Sequence, residues 1–130
     1  MQTERLVELV QEHCRVEYLP WPIPELRFHP TRKWKFDYAW LVPQIAMEIQ
    51  GGIWTGGRHS RGKGQKDDME KLSVAATMGW TVLQVTPAQI KDKSWVGLFT
   101  DSFDSWICRI VPWLPEDRVR LPNHARKGKE

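Results

Sequence analysis

With 130 residues, 41% of them hydrophobic and 27% charged, the chain suits one globular domain and is too apolar for an intrinsically disordered one. Two cysteines, Cys14 and Cys108, exclude a disulfide framework or a cysteine zinc site. No apolar run approaches the roughly 18 residues of a membrane span, and the charged N-terminus has no signal-like apolar stretch, so a soluble protein of the reduced cytoplasm is expected.

Thr3 to His13 predicts a helix, with Thr3 as a possible N-cap and Leu6, Val7, Leu9 and Val10 as its apolar stripe. Three prolines make Leu19 to Pro24 an extended connector. Leu26 to His29 is a short strand candidate ended by Pro30. Lys33 to Trp40 alternates polar and aromatic residues, as a half-buried strand does. After a turn at Val42-Pro43-Gln44, Ile45 to Gln50 forms the second arm of a hairpin. Its apolar run suits the inside of a sheet.

A glycine-rich loop follows from Gly51. Lys66 to Met78 then has helical spacing, with Met69, Leu72, Ser73 and Ala76 on one face and Gly79 as C-terminal cap. Thr81 to Thr86 is a short β-branched strand, Pro87 to Ile90 a loop or helical turn, and Leu98 to Val111 a last helix stopped by Pro112. This order describes an α/β fold, a mixed central β-sheet flanked by helices. It occupies residues 1–115, ahead of a basic tail at 116–130.

The net charge is only +3, but its distribution is uneven. Arg58, Arg61, Lys63 and Lys66 fall in one acid-free stretch, and Arg118, Arg120, Arg126, Lys127 and Lys129 fall in the tail. Such clusters are what a phosphate-binding face requires, although a solvated loop and tail would read the same way. Arg32 and Lys33, just before the aromatic strand, are further phosphate contacts or plain surface charges.

Asp37, within the aromatic strand, and Glu48, within Ile-Ala-Met-Glu-Ile, sit where acids are costly. A buried carboxylate must find a partner or a metal, or take up a proton. A hairpin about Val42-Pro43-Gln44 sets the two nearly opposite each other, within reach of one Mg²⁺. Salt bridges to Lys33 or Lys35 are the alternative. Gln50 lies two residues beyond Glu48, on the same strand face. The basic loop and a helix with Asp68, Glu70 and Lys71 follow. Metal-assisted phosphodiester hydrolysis needs such a set: acids, a group to orient water, phosphate contacts and a cation for developing charge.

Arg27-Phe28-His29-Pro30 with Trp34-Lys35-Phe36-Asp37, and Met47-Glu48-Ile49-Gln50-Gly51-Gly52-Ile53-Trp54, resemble the PD-(D/E)XK nuclease superfamily. More narrowly they resemble small phage endonucleases related to archaeal-type Holliday junction resolvases and very-short-patch repair endonucleases. Gly57-Arg58-His59-Ser60-Arg61-Gly62, Asp68-Met69-Glu70-Lys71 and Gly79-Trp80-Thr81-Val82-Leu83 extend the likeness, which covers roughly residues 4 to 86.

The resemblance implies a restriction-endonuclease-like core. Asp37, Glu48 and the Ile49 carbonyl would hold Mg²⁺, with Mn²⁺ as a possible substitute. Gln50 stands where the superfamily has lysine, so it orients water or leaves the lysine's role to Lys71. Glu4, with Glu8 as fallback, is the first-helix acid of such resolvases. Arg32, Lys33, Arg58, His59, Arg61 and Lys63 would meet DNA, His59 binding phosphate or assisting proton transfer.

The implied activity is cleavage of four-way DNA junctions by a homodimer in recombination or repair, in the host cytoplasm if phage-encoded. A mismatch-directed or nicking endonuclease, and a DNA-binding module that has lost catalysis, are the competing readings. Of the eight tryptophans, Trp40, Trp80, Trp106 and Trp113 suit packing. Trp34 and Trp54 are candidates for stacking on an unpaired base, and Trp95 to Trp113 for a dimer surface.

Overall fold

The computed structural model describes residues 2–50 and 63–111, with side chains from 5–50 and 64–111. In chain order these form α1 (Gln2–Val16), β1 (Ile23–Arg27), β2 (Lys35–Trp40), β3 (Ile45–Ile49), α2 (Lys63–Thr77), β4 (Thr81–Val85), α3 (Pro87–Lys91) and α4 (Trp95–Ile110). The strands make one mixed sheet in the order β1-β2-β3-β4. The pairs β1–β2 and β2–β3 are antiparallel, and β3–β4 is parallel with α2 as the crossover. The chain is thus mixed α/β, a four-stranded sheet flanked by helices. Among the described residues no helix is long and apolar enough to cross a membrane.

α1 begins at Gln2, so Thr3 lies inside the helix and not at its cap. Leu6, Val10 and Cys14 recur at helical spacing and are buried against the sheet. Burial among apolar neighbours pushes the Cys14 thiol up to about 12, so it is an inert packing group. The helix closes with Leu19 N–H donating to Cys14 O at 2.9 Å around Tyr18, whose φ is 55°. That geometry usually takes glycine.

The first strand lies earlier than Leu26 to His29: it starts at Ile23 and includes Pro24, opposite Tyr38. A proline is tolerated there because β1 lies at the edge of this sheet, where a missing N–H breaks no inner ladder. The connector before it is held by the Trp40 indole, whose Nε1–H donates to Pro20 O at 2.8 Å.

The hairpin register is Trp40↔Ile45, Ala39↔Ala46 and Tyr38↔Met47, around a turn at 41–44. Gln44 fixes the turn to the far end of α2: its side-chain amide donates to Met78 O at 3.1 Å, and its carbonyl accepts from Thr81 N–H at 2.9 Å. Gly79, at φ +93°, lets α2 end there, with Trp80 N–H donating to Ala75 O and Gly79 N–H to Ala76 O.

Two clusters fill the two sides of the sheet. The larger joins Leu6, Val10 and Cys14 of α1 to Tyr38, Met47, Ile90, Trp95 and Phe99. The smaller joins Ala75 of α2 to Phe36, Ala39 and Ala46, with Phe28, Trp80 and Val82 packed around it. α2 is rotated from the expected face. Met69, Ser73 and Ala76 are exposed, whereas Lys71, Leu72, Val74 and Ala75 turn inward. So few large apolar residues set the rotation only weakly.

α4 begins at Trp95, three residues before the expected start, and Trp95 is fully buried rather than part of a dimer surface. Its indole Nε1–H donates to His13 Nδ1 at 2.9 Å. An indole nitrogen only donates, so Nδ1 must be unprotonated. Burial, and then the charge of Lys93, hold His13 below the ordinary imidazole pKa, against the opposing pull of Glu17 and Glu12.

The unfolded chain therefore takes up this proton before the folded one does. His13 thus stabilises the fold above a pH of about 6.5 and ceases to as pH falls below it. Thermal unfolding followed between pH 7.5 and 5 should show this loss in the wild type and a shallower dependence in His13→Gln. Parallel profiles would remove His13 as the cause.

Candidate functional site

The site lies where β2, β3 and β4 meet the first turns of α2. By strand alternation Glu48 shares a face with Ala46, the face covered by α2. It pairs across the parallel ladder with Gln84. Continuing the hairpin register one step beyond Tyr38↔Met47 sets Asp37 against Glu48. At that point the Asp37 carboxylate bonds to the neighbouring main chain, Oδ2 accepting from Ile49 N–H at 2.7 Å. One acid is thereby fixed by the strand that carries the other.

Glu48 is half-buried, and its Oε1 is in direct contact with Lys71 Nζ. Lys71 sits 5.7 Å from the centroid of the Phe36 ring, which walls the site on one side. Burial pushes the Glu48 carboxyl up, the Lys71 hydrogen bond and charge pull it down, and the charges of Asp37 and Asp68 push it up again. The net direction is upward. A lysine alone does not offset the cost of placing this carboxylate beside two others in a partly dry site.

Gln50 continues the line of Glu48. Its main-chain N–H donates to Val85 O at 2.7 Å, and its side-chain amide donates to Gln84 Oε1 at 3.2 Å. Glu48, Lys71 and Asp37 therefore lie close enough to act on one another electrostatically, and Gln50 is tied to Gln84, the ladder partner of Glu48. Lys33 is exposed ahead of β2.

Arg32 is engaged on α2: Nη1 donates to Glu70 at 2.5 Å and Nη2 to Asp67 at 3.1 Å. Trp34 is buried beneath it, stacked on Phe28, with its indole N–H donating to Asp67. This ring is packed, not free to meet a base. Glu4 and Lys63 lie in α1 and α2 but outside the described side chains. Arg58, His59, Arg61, Trp54, Trp113 and the basic tail lie outside the described residues. Glu8 lines a cavity of about 480 Å³ with Arg5, Glu12, Pro87 and Lys91, on the side of the sheet away from α2.

One contributor was not evident from sequence. Gln84 is found only through the parallel β3–β4 register, which local periodicity does not carry. Asp68 acts on Glu48 because it lies three residues before Lys71, on the same helix face.

The donor set fits a small hard cation. Asp37 and Glu48 offer carboxylate oxygens, and the Ile49 carbonyl is adjacent in the chain. Lys71 already supplies positive charge against Glu48. Among the described residues no group of three or more His, Cys, Asp or Glu is placed to hold a metal ion. That is compatible with Mg²⁺, which commonly takes one or two carboxylates and keeps waters and substrate phosphates as its other ligands. No protein-family model matches the chain, and neither curated protein sequences nor solved structures give a match.

Proposed function

We propose that the chain is a Mg²⁺-dependent endodeoxyribonuclease with a restriction-endonuclease-like core of the PD-(D/E)XK type. In this reading it cuts four-way DNA junctions as a homodimer. The observation that carries the proposal is the meeting of Asp37 and Glu48 under Lys71, where one carboxylate is held by a main-chain N–H and the other is half-buried. Buried acids paired in this way are costly unless they serve a cation.

A bound Mg²⁺ supplies the acidification of a water and the shielding of charge on the phosphate. The chain supplies the rest. The Ile49 N–H holds the Asp37 carboxylate in one orientation, and Gln84 braces the Gln50 amide so that it can orient a water without acting as a base. Lys71, released from Glu48, offers its ammonium to the charge that grows on the phosphate. Arg58, His59, Arg61 and Lys63 are the proposed backbone contacts, with Lys33 beside them.

Gln50 in place of lysine also favours a second reading, a DNA-binding module without catalysis. Cleavage of a labelled four-way junction, a linear duplex and a mismatched duplex, each with and without Mg²⁺, separates the readings. Mg²⁺-dependent cutting confined to the junction is expected. Cutting of the mismatched duplex instead would make the chain a repair-type nuclease, and binding without cutting would leave only the module.

Within that assay Lys71→Ala should slow cleavage by at least about tenfold, equivalent to roughly 1.4 kcal/mol of barrier. A wild-type rate would remove Lys71 from the mechanism.

A further inference from the structure

Lys71 reaches Glu48 because α2 turns Lys71, Leu72, Val74 and Ala75 inward and leaves Met69 exposed. One turn earlier, Arg32 grips the helix. Its guanidinium bridges Asp67 and Glu70, and its Cζ lies 3.7 Å from the centroid of the Trp34 ring. Asp67 is held a second time by the Trp34 indole N–H, at 3.3 Å and 3.4 Å to its two oxygens.

The loop that presents Arg32 is itself braced. His29 Nδ1 accepts from Thr31 N–H at 3.2 Å and from Arg32 N–H at 2.9 Å, and its ring lies edge-on to Trp34. Asp67 precedes Lys71 by one turn, four residues away, so it lies along the same side of the helix; Glu70 is the residue immediately before. A planar fork bonded to both acids and stacked on an indole restricts rotation in a way that a single flexible charge would not.

We propose that Arg32 is a positioning residue: by clamping the start of α2 to the loop before β2, it sets the helix rotation that delivers Lys71 to Glu48. Its effect on catalysis rests on the nuclease reading above, but its effect on Lys71 does not. Arg32 is thus assigned to the helix rather than to a phosphate.

The test uses Arg32→Ala and Asp67→Asn in the full chain. Exposed ion pairs of this kind contribute little to stability, so both variants should fold, and circular dichroism checks this. The first readout is the NMR shift of the Lys71 side-chain methylenes, which the nearby Phe36 ring displaces. Both variants should move these signals towards their values in a free lysine.

The second readout is junction cleavage. Loss of Lys71 placement should lower kcat by about tenfold to a hundredfold with little change in KM. The double variant Arg32→Ala, Lys71→Ala should be no slower than Lys71→Ala alone. Unchanged Lys71 signals in both variants would overturn the proposal. So would an Arg32→Ala enzyme with wild-type kcat, weaker DNA binding and a salt slope smaller by about 0.9, the signature of a lost phosphate contact. If the wild type cuts no DNA, the nuclease reading fails while the Lys71 signals still decide the positioning claim.

Discussion

Asp37→Asn and Glu48→Gln should each lower Mg²⁺-dependent DNA cleavage by about a thousandfold, roughly 4 kcal/mol of barrier, without loss of DNA binding. Both substitutions keep the size and shape of the side chain. Asparagine at 37 still offers an oxygen to the Ile49 N–H, so the end of the hairpin should hold. Glutamine at 48 still offers an oxygen to Lys71.

What each removes is one negative charge from a site that already disfavours charge, as the raised Glu48 pKa shows. Stability should therefore be nearly unchanged, and affinity for a polyanion should stay equal or rise. Cleavage assays paired with binding in the absence of metal test this. Loss of binding along with cleavage would mean that the acids shape the fold rather than serve the chemistry.

Trp95→Ala should destabilise the fold by about 3–5 kcal/mol, a large part of what a domain of this size has to lose. Trp95 is fully buried, and its ring lies 6.1 Å from His13, 6.2 Å from Trp40 and 6.3 Å from Phe99, centroid to centroid. Removing it opens a cavity at the junction of α1, α4 and the sheet, and it leaves His13 Nδ1 without its donor.

Trp95→Phe separates the two losses. It keeps much of the volume but not the N–H, so it should cost about 1–3 kcal/mol for the unpaired acceptor, plus a smaller packing term. Urea unfolding of both variants checks the order. Equal costs would mean that the hydrogen bond rather than the packing dominates at Trp95.

The elements of this fold were legible where a local rule governs them. The hairpin follows from alternation in β2 and the apolar run of β3, and Gly79 marks the end of α2 as its left-handed φ requires. Errors arose where tertiary context wins. Pro24 was placed in an extended connector, but it belongs to β1, where an edge position makes its missing N–H harmless. The last helix was expected to open at Leu98, but Trp95 and Val96 pack into the core and start it three residues earlier.

The rotation of α2 was only partly readable: Leu72 turns inward as expected, but Met69 is exposed and Lys71 faces Glu48. The contacts of Lys71 to Glu48 and of Arg32 to Asp67 and Glu70 exist only in the folded chain. The same holds for the site. Asp37 and Glu48 could be paired from the turn between them, and Asp68 could be read beside Lys71 on its helix, whereas Gln84 comes from a strand whose parallel register no local pattern carries.

Direct titration of the metal-free protein with Mn²⁺, followed by calorimetry, probes the shared-cation claim without any assumption about substrate. The wild type should bind the ion, and Asp37→Asn and Glu48→Gln should each bind it far more weakly. A wild type that takes up no Mn²⁺, or an Asp37→Asn variant that binds it as tightly, would contradict the account.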